Sequence, residues 1–395
     1  MNRTLVFLSI ILIFILLAGG VYFFVLRDTN TPTNPNNPSF NIDGTPVEIP
    51  GGEDDIIIDP TTPTTRTTLT QIHTSPVAGA HVYTNEIEVT VASSTETISS
   101  PLVTYVDKQT GHIFEYDPEV NEATRISNTT FPGIQEVNWF TDPTKLVFRY
   151  LNSDGEIETY LGDLSSGSLS GSYLEVDVPT IATFENQIIN ASVSDRGSDL
   201  YLADVDGTSS SLVYETPLTS ILVPSFGENF IAILNKPVSS LAGALYFFED
   251  GDEKRILGNK NGLTTLPNKD GSLILYSEST DRGFTTSLLD REENETKRLP
   301  LSVLPEKCVW HTEDTLYCMV PEVIPPANYP EHWYQGFISF TDALWEIDTR
   351  TGIARAVAFF DESGPFDGTN LSINEEGEYL TFINRRDGTL WGFDL

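Results

Sequence analysis

Sulfur is scarce in this chain of 395 residues, which has two cysteines and two methionines. The two cysteines, Cys308 and Cys318, stand ten residues apart with only His311 between them, which falls short of a zinc ligand set, and they allow at most one disulfide. Histidine is nearly as rare. The five, at positions 73, 81, 112, 311 and 332, are dispersed, with no pair spaced to share one helix face around a metal. Basic side chains number 22 against 57 acidic ones, for a net charge of -35. So few lysines and arginines argue against nucleic acid as a partner, because phosphate binding rests on cationic side chains. The same field repels an anionic lipid surface and favours solubility and cationic partners. From Leu69 onward no run of ten or more residues carries the 3.6-residue apolar period of a helix.

What is present begins with an uncharged apolar run of 22 residues, Leu5 to Leu26, between Arg3 and Arg27. At 1.5 Å per residue it measures about 33 Å, enough for a hydrocarbon core of about 30 Å. A cleaved signal peptide has a shorter apolar centre ending at a small-residue site, whereas here Ala18-Gly19-Gly20 is followed by Val21 to Leu26. The expectation is an uncleaved signal-anchor over residues 1–27 of a single-pass membrane protein, with the N-terminus cytoplasmic and the remainder extracytoplasmic. Residues 28–68 are rich in Pro, Thr and Asn, as in Thr29–Pro38 and Asp59–Arg66. Such composition cannot offset its ordering entropy and reads as a disordered stalk, in which Ile56–Ile58 reads as a sticky spot, local pairing being the alternative.

Residues 69–395 read as all-β, with short Val, Ile, Tyr, Phe and Thr runs between Gly, Asp and Asn turns. The unit repeats: a strand, a polar turn, a strongly apolar strand, then a strand with an aromatic. Its turns fall at Thr141–Thr144, Ser194–Gly197, Gly227–Asn229, Asn268–Gly271, Thr312–Asp314 and Asn374–Gly377. Their mean spacing of about 47 residues is that of a four-stranded propeller blade. A further unit, Leu102–Val106, His112–Tyr116 and Ala123–Ile126, precedes them without a clear first turn. The fold expected is a β-propeller of seven blades, with six or eight as the alternatives. The last blade runs out of chain after three strands, and Leu69–His73 is the strand available to complete it.

The turn-and-strand pattern, with third strands such as Gly388–Asp394, resembles WD-repeat-like and TolB-type propellers. Thr74–Ala80, Thr110–Glu115, Arg125–Thr130, Lys307–Trp310 and Trp333–Phe340 are similar to a family of membrane-anchored propellers from small-genome candidate-phylum bacteria. The resemblance implies fold and topology and carries over no catalytic residue.

Candidate chemistry is sparse. Cys308 and Cys318 flank the turn at Thr312–Asp314 symmetrically, so a hairpin would oppose them. In an oxidising compartment they would form a disulfide, the alternative being two buried thiols. The Ser/Gly loop Ser165–Ser172 lacks the strand–turn–helix setting of a nucleophilic serine. Acidic turns such as Asp204–Gly207, Glu249–Asp252 and Asp361–Gly368 lack the full spacing of a calcium loop, and no cofactor is expected. One connection, Val320–Thr341, is far longer than a hairpin needs and gathers Tyr329, His332, Trp333, Tyr334 and Phe337. These aromatics form a candidate recognition surface, unless they fold back into the core. Two functions follow: a non-catalytic cell-surface binding or scaffolding propeller for an envelope protein or glycan, or an envelope hydrolase for glycan or peptide at the central channel.

Overall fold

A computed structural model describes residues 57–59, 69–91, 94–174, 178–360 and 363–395. It is a seven-bladed β-propeller. The expected signal-anchor and most of the stalk lie outside the described residues, and among those described no helix is long and apolar enough to cross a membrane. Each blade is a four-stranded antiparallel sheet, and blade VI carries a fifth strand. The innermost strands begin at Val77, Ile134, Thr180, Ile221, Thr264, Cys308 and Gly368 in blades I to VII. Strand alternation places the first-to-second and third-to-fourth connections on one face of the ring, here the turn face. The second-to-third connections open on the opposite face, where each chain crossing to the next blade also lies.

The ring is closed by packing as well as by hydrogen bonds. Seven buried apolar clusters sit one at each blade interface. Between blades V and VI, for example, Leu275 and Leu288 meet Leu316 and Trp345. Between blades VII and I, Tyr379 and Leu390 meet Val82 and Tyr105. The outer strand of blade VII is Leu69–His73, antiparallel to Leu390–Asp394 with Leu69 opposite Phe393. Just beyond it, Val77 N–H donates to the Gly388 carbonyl at 2.9 Å, and Val82 N–H to Ser372 Oγ at 2.9 Å. His73 Nε2 meets Asp107 Oδ2 of blade I at 3.1 Å. Burial would raise the Asp107 carboxyl, but hydrogen bonds from Thr110 and His73 outweigh it and hold it below the ordinary range.

Three elements depart from the sequence expectation. In blade III the turn at Ser194–Gly197 joins the second and third strands, Gln187–Ser194 and Gly197–Asp204. The first-to-second turn is instead Glu185-Asn186, between Phe184 and Gln187, with Glu185 at φ 49°. Blades V and VII carry glycine at a left-handed turn position, Gly271 at 74° and Gly377 at 71°, whereas the turn of blade III has no glycine to mark it. In blade I the first two strands are unusually long, Val77–Val91 and Ser94–Asp107, paired as far as Val91 opposite Ser94. The missing turn lies past the usual position, and the hairpin extends beyond the blade on the turn face. Finally, Ile57–Asp59 pairs parallel with Ile353–Ala358, Ile57 opposite Ile353, as the fifth strand of blade VI. The short apolar spot is therefore an edge strand covering an outer sheet edge.

Closure makes a testable demand. A chain beginning at Thr74 loses the outer strand of blade VII and with it Ile72, buried between blades VII and I. Its stability should fall by roughly 2–4 kcal/mol, from the lost apolar burial and the exposed sheet edge. A chain beginning at Thr61 keeps that strand, loses only the three-residue parallel strand, and should melt within a few degrees of the parent. Equal melting temperatures for the two truncations would remove the outer strand's role.

Candidate functional site

The long connection of blade VI begins after the strand Thr315–Pro321 and ends at the strand Asp342–Asp348, opening on the face opposite the turn face. Its mouth is pinched by Glu322 N–H donating to the Thr341 carbonyl at 2.9 Å. A single helical turn, α1 (Glu331–Tyr334), sits at its tip. Apolar side chains draw it inward. Tyr329, Trp333, Phe340 and Ile324 form a buried cluster with Phe284 of blade V and Leu304 at the entry to blade VI. The Tyr329 ring lies 5.0 Å from Phe284, edge to face, and 5.8 Å from Phe340, stacked. Its hydroxyl donates to the Pro325 carbonyl at 2.7 Å. Glu331 Oε1 accepts from Ser239 N at 2.7 Å, tying the tip to blade IV, and Arg385 of blade VII lies 4.7 Å over the Trp333 ring.

Beneath the cluster lies a buried charge network that no local pattern announced. Lys307, 0% exposed, is held between Asp367 Oδ1 at 2.6 Å and Asp342 Oδ2 at 2.8 Å. Its ammonium also donates to the Gly368 carbonyl at 2.9 Å and faces the Trp333 and Phe340 rings at 5.3 Å each. Asp367 is surrounded by further donors: Trp333 Nε1 at 3.1 Å, Ser339 Oγ at 3.1 Å and Phe340 N at 3.1 Å. Asp342 has less support. Its Oδ2 also accepts from Gly368 N at 2.7 Å, while its buried Oδ1 has no hydrogen-bond partner. Burial is the main cause pushing the Asp342 carboxyl up to about 7, with Lys307 opposing it and Asp367 adding to it. One lysine between two carboxylates leaves an excess negative charge in a sealed site. A proton on Asp342 removes it.

The sequence-predicted aromatics divide into two groups. Tyr329 and Trp333 are core side chains of the insertion. Phe337 is 73% exposed and Tyr334 38% exposed, with half-buried His332 edge-on to Phe337 at 5.8 Å. The Tyr334 hydroxyl is enclosed and donates to Glu306, while its ring stays partly open. Burial, then the Glu306 charge, raises that hydroxyl well above its ordinary range, and burial raises the Glu306 carboxyl in turn. The structure thus brings Tyr334, Phe337 and His332 together at the surface over a rigid base.

Cys308 and Cys318 are directly opposed in the hairpin of blade VI, Cα atoms 4.1 Å apart, and joined as a disulfide within the interface with blade V. Among the described residues no three acidic, histidine or cysteine side chains gather as a metal site.

No family model matches the chain, and no curated protein matches it. Solved structures do. Oligogalacturonate lyase from Vibrio parahaemolyticus is similar at 11% identity and TM-score 0.52, over 80% of this chain and 98% of that one. The β-propeller domain of Cps50 (Swd1) from Myceliophteria thermophila is similar at 11% identity and TM-score 0.50, over 82% of this chain and 98% of that one. TolB from Acinetobacter baumannii gives 8% identity and TM-score 0.44, over 70% of this chain and 78% of that one. At such identities the likeness is one of fold alone.

The asymmetry between the two aspartates can be measured. Raised above its unfolded value, the Asp342 carboxyl binds its proton more tightly in the folded state, so its contribution to stability falls as pH rises from about 4 to about 7 and is flat above. Asp342→Asn removes this dependence, so the melting temperature of the variant relative to the parent should climb across that window. Asp367→Asn leaves Lys307 paired with Asp342 alone and weakens the acceptor shared by Trp333, Ser339 and Phe340, and should cost about 1–3 kcal/mol. A parallel pH response of parent and Asp342→Asn would contradict the assignment.

Proposed function

We propose that the chain is a non-catalytic binding or scaffolding propeller, held at the cell surface by a signal-anchor over residues 5–26 and a spacer, which engages an envelope protein or glycan through the insertion of blade VI. The observation that carries this reading is Phe337, 73% exposed on a connection fixed from beneath by the sealed Lys307 network. A large apolar side chain on a pre-ordered base loses little entropy on docking, the property of interface anchors. The acidic field of the chain adds long-range attraction for cationic partners without specificity. The extracytoplasmic placement is supported by the length of the Leu5–Leu26 run and by the Cys308–Cys318 disulfide, a bond that persists in oxidising compartments. The hydrolytic alternative has less support, since Asp342 and Glu306, whose carboxyls are raised, are enclosed.

Full-length protein should fractionate with membranes and retain Met1 or Asn2 at its N-terminus; a mature start near Gly20 would remove the anchor. Phe337→Ala should lose capture of envelope material while its melting temperature stays within about a degree, as expected for an exposed site. Trp333→Ala should lower stability by about 3–5 kcal/mol, the cost of truncating a buried aromatic. Unchanged capture by Phe337→Ala would place recognition elsewhere.

A further inference from the structure

We propose that a cleft between blades III and IV, on the turn face and away from the insertion, binds an alkylammonium group: an apolar stem ending in a primary amine. The cleft encloses about 350 Å³, at the lower end of the roughly 300–1,000 Å³ range of pockets that take small organic ligands. Ile189 and Val213 of blade III and Phe226 and Phe248 of blade IV form its apolar walls. Two acidic turns of blade IV rim it, one carrying Glu228 and the other Asp250. Local backbone sets both turns. The first closes tightly, with Gly227 N–H donating to the Phe230 carbonyl at 3.0 Å, and leaves Glu228 exposed. The second holds Asp250 at φ 56° between the third and fourth strands.

The sign of the ligand follows from which charges are already satisfied. Glu249, also on the wall, is neutralised by Arg291 at 2.9 Å and Lys254 at 3.0 Å. Lys269 lies 5.9 Å over the Phe184 ring, which itself meets Phe226 edge to face at 5.7 Å. Among the described residues no ion pair engages Glu228 or Asp250. A mixed cleft with aromatic and aliphatic side chains on its walls and two carboxylates at its mouth matches a stem that lies along those walls and a cation that stays at the rim. An anionic ligand would meet these carboxylates and a chain of net charge -35.

Calorimetric titration of the full-length protein with n-hexylammonium tests the site, with n-hexanol and hexanoate as controls of equal length. Hexylammonium should bind, hexanol more weakly and hexanoate not at all, and added salt should weaken the amine alone. Glu228→Gln with Asp250→Asn should weaken hexylammonium about fivefold while leaving hexanol unchanged, as expected of exposed charge pairs. Asparagine tolerates the left-handed backbone at 250, so this variant keeps the turn. Val213→Trp, which fills the slot, should abolish binding of both at an unchanged fold. Capped lysine (Nα-acetyl-lysine methylamide) separates the sources of such a group: binding equal to hexylammonium assigns the site to a peptide side chain, and no binding assigns it to a free amine. Equal affinity for hexanol and hexylammonium, or an unaltered response in the double carboxylate variant, would overturn the proposal.

Discussion

A ring of β-sheets stays folded only if its last sheet finds its first, and in this chain that condition rests on five residues. Leu69–His73 pairs with Leu390–Asp394, and so the most distant parts of the propeller become neighbours. Every other blade takes its four ring strands from one continuous stretch, with local turns setting the register. The closing blade has no such help, so it is secured several times over: by the strand pairing, by the buried cluster between blades VII and I, and by His73 on Asp107. Loop closure over the whole propeller is costly in entropy, and these contacts exist only after it has been met.

The Lys307 network solves a different problem. A connection of some twenty residues laid over four blades would be mobile if held by apolar contact alone, since a smooth hydrophobic seat has little directional preference. Buried charges are directional. Asp367 fixes Trp333 Nε1, the Ser339 hydroxyl and the Phe340 backbone in one geometry, while Lys307 sets where both aspartates must be. The unpartnered Asp342 oxygen shows that the arrangement favours position over maximal stability, a trade that well-packed apolar residues would reverse.

What the sequence disclosed was whatever chemistry writes locally. Two of the repeat turns carry a left-handed glycine, Gly271 and Gly377, and five of the six fall where the spacing put them. Blade III failed because Glu185 occupies that backbone without the usual residue, and blade I because its hairpin runs on. The outer strand of the last blade was legible from a deficit, three strands where four are needed. The parallel strand Ile57–Asp59 was not, because two isoleucines and an aspartate carry no period. The insertion was visible by its length, but the division of its aromatics was not: Trp333 is sealed and Phe337 open because of residues 307, 342 and 367, which only the fold brings together. The cleft between blades III and IV is equally non-local, assembled from two turns and two sheets.

The fifth strand of blade VI also has a mechanical meaning. Tension applied to the chain from its N-terminal side reaches Ile57–Asp59 before it reaches Leu69. Three residues in parallel pairing can peel from an outer sheet edge without breaching the ring. Under such a load the three-residue pairing would part before the strand that keeps the propeller shut.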